Sequence, residues 1–140
     1  MLKGIPSILP PELLKILMEM GHGDELVIAD GNFPAAALAQ RLVRCDGHGI
    51  PPVLDAVLSL MPLDFIVEAP VILMSSSIGS KDPPVWEDYR RILHSREPEH
   101  SNIAYIERYA FYERASKAYA IVATGETAMR GNILLKKGVC

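Results

Sequence analysis

The chain has 140 residues, 49% hydrophobic and 22% charged, with a formal net charge of −3. That length suits one domain with a real core, and the acidic balance disfavours nucleic acid or an anionic membrane as the main partner. No stretch nears the ~20 apolar residues of a membrane span and Met1 to Pro6 lack a signal peptide's apolar run, so a cytoplasmic protein is expected, with Cys45 and Cys140 as reduced thiols.

Pro10-Pro11-Glu12 predicts a helix start, because proline suits the first helical position and an acid the first turn. Leu13, Leu14, Leu17 and Met18 would share its inner face, and Gly21 stops it. Glu25 to Ala29 is a short apolar run bounded by turn residues, the pattern of a buried strand. Asp30-Gly31-Asn32-Phe33-Pro34 is turn chemistry, followed by a short helix over Ala35 to Gln40. Leu42 to Arg44 predicts a brief strand. Pro51-Pro52 opens a helix with Val53, Leu54, Val57, Leu58 and Met61 inward.

Pro70 to Met74 is a second apolar strand, and Ser75 to Pro84 a polar loop. Val85, Tyr89 and Ile92 have helical spacing in a segment ending at His94, with an exposed loop from Ser95 to Ser101. Ile103 to Ile106 predicts a strand. Arg108 to Ser116 predicts a helix with Phe111, Tyr112 and Ala115 inward. Tyr119 to Ala123 is rich in strand formers, Thr124 to Thr127 turns, and Asn132 to Leu135 is the last strand. Strands alternating with helices along one chain predict an α/β fold, in one domain over residues 1–140.

Few residues stand out for chemistry. His22 lies between Gly21 and Gly23 at a helix-to-strand junction. An imidazole has an ordinary pKa of ~6.5, so near neutrality it can give or accept a proton; such a residue also reads as an ordinary surface turn. Asp30 follows an apolar strand, and ligands of open α/β folds sit beyond the carboxyl ends of strands. It could accept sugar hydroxyls or act as a base, or simply cap the turn that follows. Arg108, Glu113 and Arg114 on one helix read from spacing as a solvated face. Gly131-Asn132 either presents an amide to a ligand or is a turn entering a strand. Lys136-Lys137 reads as a solvated pair. His48, His94 and His100 form no cluster. The chain carries no metal-ligand spacing, no glycine-rich dinucleotide fingerprint, no phosphate loop and no serine nucleophile elbow, so neither a metal nor a cofactor is expected.

Four segments together resemble the RbsD/FucU family of sugar mutarotases and pyranases. They are Leu2 to Leu14, Met20-Gly21-His22-Gly23-Asp24-Glu25 through Ala35, Ile106 to Ala115 with Phe111-Tyr112-Glu113-Arg114, and Ala123-Thr124-Gly125-Glu126 through Gly138. The Phe-Tyr-Glu-Arg and Thr-Gly-Glu segments look more like the fucose branch than the ribose branch. The resemblance implies an α/β domain with a central sheet flanked by helices. It further implies a ring-shaped homo-oligomer, commonly a decamer, with pockets near subunit contacts and a monosaccharide as the partner.

By the same resemblance His22 is the proton donor, and Asp30 and Arg108 bind the sugar. The family's Tyr-Gly-Asn triplet falls on Arg130, Gly131 and Asn132. Arg130 departs from it: a guanidinium only donates hydrogen bonds and stays charged, so it cannot serve as an acid–base partner in a phenol's place. The implied activity is cofactor-free interconversion of sugar anomers, L-fucose being the expected sugar. The alternatives are a ribose-type pyranase, a non-catalytic sugar-binding protein linked to transport, and, more weakly, an aldose–ketose isomerase.

Overall fold

The computed structural model describes all of residues 1–140. Along the chain run α1 (Pro11–Glu19), β1 (Glu25–Ala29), α2 (Ala35–Leu38), β2 (Leu42–Cys45), α3 (Ile50–Leu58) and β3 (Val71–Met74). They are followed by α4 (Val85–Arg96), β4 (Ile103–Ile106), α5 (Arg108–Lys117), β5 (Ala120–Thr124) and β6 (Ile133–Lys136). The six strands form one sheet in the order β2-β5-β1-β6-β3-β4. β1 pairs in parallel with β5, β5 with β2 and β3 with β4, whereas β6 runs antiparallel to both its neighbours. The carboxyl ends of five strands therefore share one edge with the start of β6.

Strand residues alternate between two cores, as the two-residue period demands. Leu26, Ile28, Val122, Ile133, Leu135, Val71 and Leu73 pack with α1, α3 and α4. Val27, Ala29, Ile121, Ala123, Leu134 and Ile72 face the other way, onto Phe33, Ala35, Phe111 and Ala115 of the α2 and α5 side. Both faces are covered, so β1, β3 and β5 read as continuous apolar runs. Full burial of one leucine such as Leu26 or Leu134 stabilises the fold by ~1.5–3 kcal/mol.

Helix ends are tied by side chains, one local and two distant in sequence. Glu107 caps α5 by accepting the backbone N–H groups of Tyr109 and Ala110. Gly49, at the N-cap of α3, offers no side chain; the Glu126 carboxylate accepts the Ile50 N–H instead, at 3.1 Å. Lys137 Nζ closes the carboxyl end of α1, donating to the Leu17 and Met20 carbonyls at 2.7 and 2.5 Å. A cation there also suits the helix dipole.

Several expectations need correction. Lys137 is half-buried in that cap rather than one of a solvated pair. Arg114 is also half-buried, its guanidinium forked onto Glu25 at the start of β1 with Nη2 to Oε2 at 2.6 Å. Met18 is exposed, and Ile16 takes the inward place. The α4 helix runs two residues past His94, and α2 stops at Leu38. Both cysteines are free, Cys45 buried and Cys140 exposed.

Candidate functional site

A cavity of about 590 Å³ opens at the sheet edge where the five parallel strands end. Its walls come from the chain just beyond β1 (Asp30, Asn32, Phe33), the end of β3 (Met74 to Ser77), the turn into α5 (Glu107, Arg108, Tyr112) and the approach to β6 (Met129, Arg130, Asn132). The volume is in the usual range for small-molecule sites. The place, beyond strand carboxyl ends where the strand order changes sense, is where open α/β sheets bind ligands.

Asp30 is buried at the floor. Burial pushes its carboxyl above the ordinary carboxylate range, opposed by the backbone N–H groups of Asn32, Gly131 and Phe33 and by the Asn132 side chain. Its Oδ1 accepts the Asn32 N–H at 2.9 Å, so the residue also caps its own turn. Asn132 is fixed beside it, with Oδ1 accepting the Asp30 N–H at 2.8 Å. That bond commits the amide oxygen and leaves the NH₂ as the donor end. Gly131 is held from behind by Tyr89, whose buried phenol, its pKa pushed up by that burial, donates to the Gly131 carbonyl at 2.6 Å.

Arg108, exposed at the first position of α5, donates through Nε to the Tyr112 hydroxyl at 3.1 Å and stands over the rings of Tyr109 and Tyr112. The Tyr112 contact raises its already high pKa. Arg130 has a left-handed backbone, φ 59°. Its Nη1 reaches the hydroxyls of Ser77 and Ser80 at 3.4 and 3.3 Å.

The Thr124-Gly125-Glu126 segment frames this rim. Thr124 Oγ1 donates to the Ala29 carbonyl at 2.7 Å. Gly125 lies so close to Asp46 that a Cβ would come within 2.2 Å of its carbonyl oxygen. Glu126 accepts from Ala128 N–H with one carboxylate oxygen and from Ile50 N–H with the other. This motif fixes backbone and does not line the cavity.

The structure thus gathers Asp30, Arg108, Arg130 and Asn132 at one cavity, and leaves His22 out. His22 precedes β1 and Asp30 follows it, so the two stand at opposite ends of a five-residue strand, on the order of 16 Å apart at ~3.3 Å per residue. The His22 ring is partly exposed, with Nε2 3.1 Å from Oδ1 of the buried Asp64. The Ile66 N–H, first, and then His22 itself hold the Asp64 carboxyl below its ordinary range. An ionised Asp64 accepts the Nε2–H of His22 and leaves Nδ1 without a partner. Lys137 and Gly138 build this corner. The Lys137 carbonyl accepts the Gly23 N–H at 2.8 Å. A Cβ on Gly138 would meet the Leu63 carbonyl oxygen at 2.3 Å and Asp64 Cα at 2.9 Å.

Sequence reasoning missed Asp64, Glu107 and the serines of the β3 loop. Asp64 lies 42 positions from His22, with nothing in its neighbourhood to couple the two. No group of three His, Cys, Asp or Glu side chains is placed to hold a metal ion, and no helix is long and apolar enough to cross a membrane.

Residues 3–140 match the model of the RbsD / FucU transport protein family. The chain is 51% identical to the fucose mutarotase of Homo sapiens over 99% of this chain and 94% of that protein. It is 49% identical to the L-fucose mutarotase of Histophilus somni over 99% and 97%. Among solved structures, it superposes on the fucose mutarotase from Streptococcus pneumoniae in complex with L-fucose with a TM-score of 0.95, at 51% identity and 99% coverage of each chain.

Proposed function

The chain belongs to the RbsD / FucU transport protein family, and from that premise we propose that residues 1–140 form one mutarotase domain, an isomerase that interconverts the α and β anomers of L-fucose in the cytoplasm. The observation that carries the reading is the polar cavity of Asp30, Arg108, Arg130 and Asn132 at the strand ends. It occurs in a chain about half identical, over its full length, to proteins named for this activity.

Mutarotation needs two proton movements. One proton goes to the ring oxygen as its bond to the anomeric carbon breaks, and one leaves the anomeric hydroxyl as that oxygen becomes a carbonyl. The aldehyde turns, and closure reverses both movements. His22 is the proton donor of this scheme: with Nε2–H held by Asp64, the protonated ring gives its Nδ1 proton to the ring oxygen and takes one back on closure. Asp30 accepts sugar hydroxyls and is the cavity's nearest candidate for the anomeric proton, while Arg108, Arg130 and the Asn132 NH₂ donate to sugar oxygens. A positioned acid or base is worth ~100- to 10,000-fold.

His22 and the cavity sit at opposite ends of one sheet, so a complete site requires two copies: His22 of one beside the cavity of the next. Such a head-to-tail contact is heterologous, and closed heterologous contacts make rings, in keeping with a homo-oligomer such as a decamer. Both ends carry the apolar surface that a contact would cover. Phe65, Ile66 and Val139 are exposed around the His22 corner, and Ile78, Tyr109 and Met129 around the cavity mouth.

Saturation-transfer NMR on L-fucose, with and without protein, tests the reading. Wild-type protein should speed anomer exchange, and His22→Gln should lose most of that gain while keeping its fold. Unchanged exchange in the variant would remove His22 from the mechanism. The absence of His22 from the cavity wall favours one other reading, non-catalytic sugar binding. Calorimetric binding of L-fucose by a wild-type protein that leaves exchange untouched would select it.

A further inference from the structure

The chain has eight arginines. Five are paired with carboxylates: Arg44 with Asp46, Arg90 with Glu87, Arg91 with Asp88, Arg96 with Asp55 and Arg114 with Glu25. Of the three that are not, Arg41 stacks over Tyr119 on the surface, and the other two, Arg108 and Arg130, line the same cavity. Neither has a carboxylate oxygen within 4.0 Å.

The cavity's own carboxylates, Asp30 and Glu107, are not ion-paired with these two arginines. Glu107 turns to the Tyr109 and Ala110 N–H groups at the start of α5, and Asp30 accepts the Asn32 N–H with Oδ1. Most guanidinium donors remain free. Arg108 commits only Nε, to a phenol, and Arg130 only Nη1, in two long bonds to serine hydroxyls. Each guanidinium has five N–H groups in a rigid fork that matches a planar carboxylate. A neutral 6-deoxy sugar offers these forks hydroxyls but no negative charge.

Building on the mutarotase reading, we propose that this cavity also takes aldoses that carry a carboxylate away from the anomeric carbon, with Arg108 and Arg130 as the anion-binding pair and Arg130 as the residue that sets the preference. The ring-opening chemistry is unchanged, since the carboxylate takes no part in the proton movements. It serves as a handle that fixes the open chain while the aldehyde turns.

Three sugars of the same ring configuration separate the possibilities: L-fucose with a methyl at C6, L-galactose with a hydroxymethyl and L-galacturonate with a carboxylate. Anomer exchange is followed by NMR for each, with wild-type protein and with Arg130→Gln. Charge-assisted hydrogen bonds are the stronger kind, so L-galacturonate should exceed L-galactose in kcat/KM by about 10- to 100-fold. That ratio should collapse toward unity in Arg130→Gln, and in wild-type protein it should fall with added salt. If L-fucose exchange is accelerated but L-galacturonate does no better than L-galactose, or if Arg130→Gln leaves the ratio unchanged, the anion pair is refuted and the mutarotase reading stands. If no sugar is accelerated, both fall together.

Discussion

Two inactive variants should restore each other. His22→Ala removes the proposed proton donor, and Asp30→Asn disables the cavity floor. Each should lose about 100- to 10,000-fold of the catalysed exchange. Within one chain the two positions are separated by the length of β1, roughly 16 Å, far beyond hydrogen-bond reach of a common sugar. On the proposed mechanism every site draws its imidazole from one copy and its carboxylate from another. In an oligomer co-expressed from equal amounts of the two variants, half the copies carry an intact His22 and half an intact Asp30. Independent pairing across head-to-tail contacts leaves about a quarter of the sites with both groups. The assay is saturation-transfer NMR of L-fucose on the co-purified, doubly tagged oligomer, against each variant alone. The expected result is about a quarter of wild-type exchange. A mixed oligomer no more active than its better parent would refute the shared site.

Four further outcomes follow from individual contacts. Lys137→Met strips the α1 carboxyl end of its two hydrogen bonds. It should cost about 1–3 kcal/mol in urea unfolding and lower kcat by loosening the His22 corner; unchanged stability would deny the cap. Gly138→Ala drives a methyl into Leu63 and Asp64 and should cost about 1–3 kcal/mol as overpacking, with a loss of exchange that thermal melting alone does not explain.

The acid dependence of stability should have two parts. Asp64, its carboxyl held low by the Ile66 N–H and His22, contributes stability that is present above the ordinary carboxyl pKa of 3.8 and lost as pH falls through its lower folded value. Asp64→Asn should therefore flatten the acid limb of a Tm-versus-pH curve. Asp30 has the opposite sign. Its raised folded pKa, caused by burial, favours folding below 3.8, and that advantage disappears as pH rises through the folded value. Asp30→Asn should accordingly gain stability relative to wild type between acid and neutral pH while losing activity. A variant that loses relative stability as pH rises would show that the carboxyl is not held up by burial.

Local chemistry in the chain was enough for most elements. Proline pairs at Pro10-Pro11 and Pro51-Pro52, apolar runs at Glu25–Ala29 and Val71–Met74, and turn residues between them mark helices and strands because those preferences act within a few residues. Asp30 was legible for the same reason: it stands at the end of an apolar run, and ligands of open α/β sheets sit beyond strand carboxyl ends. The RbsD/FucU blocks supplied the candidate roles of His22 and Arg108, which their spacing alone left open.

What required the tertiary structure was every relation between distant segments. That β6 runs antiparallel in the middle of the sheet follows from pairing with β1 and β3, which no local pattern encodes, and this reversal brings Asn132 onto Asp30. Lys137 and Arg114 look like surface charges until the fold sets them against α1 and β1. Asp64 has meaning only once the chain returns it to His22. Most consequential, His22 and Asp30 are eight positions apart in the sequence, and the extended strand between them holds them at its opposite ends. Sequence order measures contour length, whereas the chemistry of a site depends on distance through space.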